Sequence, residues 1–82
     1  MNLHVGGLSF DTTDDGLRVF FEQAGTVESA QVITDRDSGR SRGFGFVEMA
    51  TDDEGRKAIE DLNGEMLDGR TLTVSEARPQ KE

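Results

Sequence analysis

The sequence contains no cysteine, so neither a disulfide framework nor a thiolate metal site can form, and a reducing compartment suits it. Iron–sulfur and zinc-ribbon chemistry are excluded on that ground. His4 is the single histidine, and no nucleophile and base stand at motif spacing. Catalysis therefore has no candidate machinery, and an enzyme is not expected. No basic segment followed by an apolar run opens the chain, and no stretch approaches the roughly 18 apolar residues of a membrane span. The expectation is a cytoplasmic monomer that uses no cofactor and no metal and avoids membranes. Lysine is scarce, two residues against seven arginines, and acids outnumber bases 17 to 9 for a formal net charge of −8. That balance opposes binding to a polyanion, whose affinity depends on neutralised phosphates.

The 82 residues suffice for one domain. A chain this short buries only roughly 60% of its extended surface, which favours binding on a surface over binding in a deep cavity. Leu3 and Val5 alternate with Asn2 and His4 before Gly6-Gly7, the pattern of a strand that turns His4 outward. Thr13 caps a helix in which Leu17, Phe20, Phe21 and Ala24 recur at helical spacing until Gly25. Residues 27–34 read as a second strand, with Ala30 and Val32 on one face and Gln31 and Ile33 on the other. After a loop over 35–41, residues 42–49 form a third strand. A second helix over 52–62 is capped by Thr51, weakened by Gly55 and stopped by Asn63-Gly64. Residues 71–75 make the last strand, with Leu72 and Val74 inward. Two amphipathic helices can bury their apolar stripes only against one face of such a sheet, so the other face is left bare.

In the third strand the two-residue period places Arg42, Phe44, Phe46 and Glu48 on one face and Val47 and Met49 on the other. Val47 and Met49 are core residues, which leaves two large aromatics on the solvent side. A loop or the C-terminal tail lying over them would make them a satellite core. The alternative is a binding platform, because aromatic rings on an open strand stack nucleobases for about 1–3 kcal/mol each and a neighbouring guanidinium can pair with phosphate.

Arg42-Gly43-Phe44-Gly45-Phe46-Val47-Glu48-Met49 resembles the octamer of the RNA-recognition-motif family, basic–Gly–aromatic–Gly/Ala–aromatic–aliphatic–any–aromatic, departing only at the inward Met49. Leu3-His4-Val5-Gly6-Gly7-Leu8 resembles the companion hexamer, aliphatic–aromatic–aliphatic–any–Asn–Leu, with His4 in place of the aromatic and Gly7 in place of the Asn. Gly25, Leu62-Asn63-Gly64 and Leu67-Asp68-Gly69-Arg70 extend the resemblance over essentially the whole chain, and its span is similar to that of the small single-domain bacterial and cyanobacterial members.

The resemblance implies an α+β, ferredoxin-like βαββαβ sandwich: a four-stranded antiparallel sheet with two helices on one face, over residues 1–77, and a short extension over 78–82. It implies single-stranded RNA as partner, with single-stranded DNA a weaker ligand. In the family the position of His4 stacks one base, that of Phe46 stacks the next and that of Phe44 contacts the sugars between them. Arg42, Arg36, Arg40 and Arg78 are then candidates for phosphate, and Gln31, Ile33 and Thr73 for further contacts on the open face.

Competing patterns fail on detail. Gly43-Phe44-Gly45 begins like a dinucleotide fingerprint, but the third glycine is missing and the segment is a strand. Asp35-Arg36-Asp37-Ser38-Gly39 suggests a calcium loop, yet its glycine falls one place early and Phe46 occupies the twelfth position, where a bidentate Glu is required. Small acyl-phosphate hydrolases share the element order but need an Arg after the first strand, and residues 6–15 hold no Arg or Lys. A protein-binding use of the fold is the competing reading, favoured by the acidity. Charge placement weighs against it: residues 14–24 and 52–63 hold eight acids and three bases, whereas Arg36, Arg40, Arg42, Arg78 and Lys81 flank the proposed face.

Overall fold

The computed structural model describes residues 1–35, 37–39 and 41–77, with Ser41 and Arg42 described by their backbone only. Strands β1 (Asn2–Gly6), β2 (Val27–Thr34) and β3 (Ser41–Met49) join β6 (Thr73–Glu76) in an antiparallel sheet of order β2-β3-β1-β6. Helices α1 (Asp14–Glu22) and α2 (Asp52–Leu62) pack on one face of it. Their inward residues Leu17, Phe21, Ala58 and Leu62 share a core with Leu3, Val5, Val47, Met49 and Val74, all buried. The strand–helix order and the single covered face are those the sequence predicts.

Both caps form as expected. The Thr13 hydroxyl accepts the Gly16 amide at 3.0 Å, and the Thr51 hydroxyl accepts that of Glu54 at 3.2 Å, each satisfying an orphan donor of the first turn. Side chains then tie the helices to the sheet. The Asp14 carboxylate accepts the Val32 amide at 2.7 Å, and the Asn63 side chain accepts the Val74 amide at 3.0 Å on the outer edge of β6. An edge strand with an outward amide engaged in this way is a poorer template for further pairing.

The last strand differs from the sequence reading. Met66–Leu67 (β4) and Arg70–Thr71 (β5) form a small hairpin of their own, turned by Asp68 and Gly69, and the sheet strand begins only at Thr73. Residues 71–75 alternate correctly, with Leu72 and Val74 buried, but alternation cannot say which partner a strand takes. The Thr12 hydroxyl donates to the Asp68 carboxylate at 2.7 Å, joining this hairpin to the loop before α1. Gly55 also has a different meaning from the one its low helix propensity suggests. It is buried against the Met1 side chain, and an added Cβ would lie 2.5 Å from the Met1 sulfur.

Candidate functional site

The face opposite the helices is a small grid fixed by strand register. One row across the sheet reads Ser75, His4, Phe46, Gln31, and the next reads Thr73, Gly6, Phe44. Because residues i and i+2 of a strand share a face, these side chains all lie on the uncovered side. Gly6 leaves a notch between Phe44 and Thr73, since it carries no side chain at the centre of its row. The His4 and Phe44 rings lie 5.5 Å apart at an interplanar angle of 22°, and His4 meets Phe46 edge-on, also at 5.5 Å. Phe44 and Phe46 are 6.1 Å apart at 86°. Phe46 is 39% exposed, while His4 and Phe44 are half-buried against one another.

Two glycines allow this arrangement. Gly45 separates the phenylalanines on the inward side, where an added Cβ would sit 2.5 Å from the Gln31 carbonyl oxygen on β2. Close approach of the β2 backbone is thus what the glycine of the octamer secures. Gly7, which replaces the usual Asn of the hexamer, has φ +76°, and a Cβ there would run into the Thr71 carbonyl.

The predicted residues are placed as follows. His4, Phe44, Phe46, Gln31 and Thr73 come together on the open face. Ile33 is half-buried in the irregular stretch of β2 between Val32 and Thr34. Arg36, Arg40 and Arg78 lie outside the described residues, and Arg42 is placed by its backbone in β3. The sequence reading assigns no role to a groove beside Phe46, lined by Asn2, Ser29, Gln31, Glu48 and Ala77. Alternation alone puts Asn2 and Glu48 on the right face. Only the register, which sets Asn2 opposite Glu48 and Glu48 opposite Ser29, reveals them as one cluster. Among the described residues there is no group of His, Cys, Asp and Glu that could hold a metal, and no helix is long and apolar enough to cross a membrane.

The profile of the RNA recognition motif family matches residues 3–73. The chain belongs to that family. It is 45% identical over 82 residues to the RbpB protein of Nostoc sp., covering all of this chain and 80% of that one. It spans about half the length of the barley glycine-rich RNA-binding protein blt801 and of an Arabidopsis chloroplastic small RNA-binding protein that it also matches. The crystal structure of RNA Binding Protein PG1 superposes with a TM-score of 0.91 at 48% identity, over 100% of this chain and 99% of that one. A Sex-lethal protein/RNA complex superposes at 0.90 with 34% identity, over 99% of this chain and 48% of the other. The RNA recognition motif thus accounts for the sheet order and the two helices together.

Proposed function

We propose that this chain binds single-stranded RNA on the open face of its sheet, with Phe46 and His4 stacking successive bases and Phe44 contacting the sugars between them. The observation that carries this reading is the convergence of three rings, from two adjacent strands, on the sheet face opposite the helices. Burial would otherwise be the ordinary fate of such residues. The names of the relatives and the RNA complex among the structural neighbours support it at the level of the family.

Phosphate contacts are assigned on sequence position to Arg42, with Arg36, Arg40 and Arg78 as further candidates. Gln31, Ile33 and Thr73 extend the contact surface. Two full aromatics, one imidazole and few cations suit a site of about two to four nucleotides with micromolar or weaker affinity, and single-stranded DNA as a weaker ligand. The chain acts as a binding module and carries out no reaction.

The test is the double substitution Phe44→Ala, Phe46→Ala. Neither ring belongs to the core, so the thermal melt should stay cooperative while RNA affinity falls about a hundredfold or more, from the loss of two stacking groups. Unchanged affinity in a folded double variant would remove the reading.

A further inference from the structure

The groove beside Phe46 is polar in a way that stacking does not require. Asn2 stands opposite Glu48 across β1 and β3, Glu48 opposite Ser29 across β3 and β2, and Gln31 opposite Phe46. Among the described residues, the side chains of Asn2, Ser29, Gln31 and Glu48 make no hydrogen bond or ion pair within the protein. All four are exposed around one open groove. Stability gives no reason for the cluster, so its polar groups are available to a ligand.

Glu48 differs from its three neighbours in kind. Amides and hydroxyls both donate and accept, whereas a carboxylate only accepts, through two oxygens in one plane. Glu48 follows Phe46 by two residues on the same face of β3, about 7 Å further along the strand. A base lying on Phe46 can therefore turn its Watson–Crick edge toward the carboxylate, and single-stranded RNA is read on that edge. On that edge uracil, cytosine and adenine each set an acceptor beside their donor, which a carboxylate repels. Guanine alone presents two adjacent donors, N1–H and the N2 amino group, which match the two oxygens.

Resting on the RNA-binding reading above, we infer that Glu48 selects guanine at the nucleotide stacked on Phe46. The same charge would weaken binding of every RNA if it acted only by repelling phosphates, and the two effects separate by base dependence. The first changes the ratio between bases. The second changes all affinities alike.

The experiment measures fluorescence-anisotropy titrations of four RNA pentamers, UUXUU with X as G, A, C or U, against the whole chain and its Glu48→Gln and Glu48→Ala variants. The wild type should bind the G pentamer about tenfold more tightly than the other three, within the range for one bidentate base contact. Both variants should lose that preference while still binding the U pentamer, and because Glu48 is exposed their melts should match the wild type. Equal binding of all four pentamers by the wild type overturns the assignment alone. So does a guanine preference that survives in Glu48→Gln, or a uniform tightening with unchanged ratios. Failure of the wild type to bind any of the four overturns the RNA-binding reading, and the guanine assignment falls with it.

Discussion

The His4 imidazole lies nearly parallel to the Phe44 ring, at 5.5 Å and 22°, so the smallest platform of the open face is braced by one of the larger ones. An imidazole offers less stacking area than a six-membered aromatic, yet its position is set by the neighbouring ring and by its pairing opposite Phe46 on β3. Replacing His4 by Tyr should therefore keep the geometry and enlarge the surface. Affinity for short RNA at neutral pH should rise by up to about fivefold, equivalent to roughly 1 kcal/mol of added stacking. Titration calorimetry on the two proteins checks this, and weaker binding by the Tyr variant would contradict a stacking role for position 4.

The second helix begins on a cap with a built-in pH dependence. The Glu54 carboxylate accepts the Thr26 amide at 2.6 Å and the Thr51 hydroxyl at 3.0 Å. These bonds, the Thr26 backbone first and the Thr51 side chain second, hold its pKa below the usual carboxylate value against a smaller opposing effect of burial. A folded value below the unfolded one stabilises the fold above the unfolded pKa, and that contribution is lost as pH falls through the folded value. Glu54→Gln should lower the urea midpoint at neutral pH. Well below about pH 4 the two proteins should converge, because Glu54 is then protonated in both states. An equal gap at both pH values would show that the charge plays no part.

Acidity behind the sheet is a separate matter from acidity on it. Asp53, Glu60 and Asp61 are exposed on α2, whose buried residues Gly55, Ala58 and Leu62 face the core. Their repulsion of RNA must act across the thickness of the domain, beyond a Debye length of about 8 Å at physiological salt. Changing these three to their amides, with Glu54 kept for its bonds to Thr51 and Thr26, should leave RNA affinity unchanged at physiological salt. At low salt, where the Debye length grows to about 30 Å, affinity should rise. Filter-binding or anisotropy at the two ionic strengths decides it. No change at low salt would mean that helix acidity does not limit binding.

Most of the fold could be read in the sequence because its signals are local. Thr13 and Thr51 precede apolar residues at helical spacing, and both prove to be caps. The alternation of Leu3 with His4 and of Val47 with Phe46 divides each strand into a buried and an open face. Non-local features were out of reach. The hairpin over residues 66–71 has a local signal in Asp68-Gly69, but the alternation of 71–75 hides where it ends and the sheet strand begins, and helix propensity alone makes Gly55 a flaw when it is the seat of the Met1 side chain. The aromatic platform was legible through its motif, whereas the Asn2, Ser29 and Glu48 cluster depends on register between three strands, which no single stretch encodes.

The central claim, that RNA lies on the face carrying His4, Phe44 and Phe46, is tested most directly by following backbone-amide NMR signals while a short single-stranded RNA is added. The account predicts the largest shifts in β1 and β3, at residues 2–6 and 43–48, with smaller ones at Gln31 and Thr73, and α1 and α2 nearly silent. Shifts concentrated on the acidic helices, or none on β1 and β3 at saturating RNA, would contradict it.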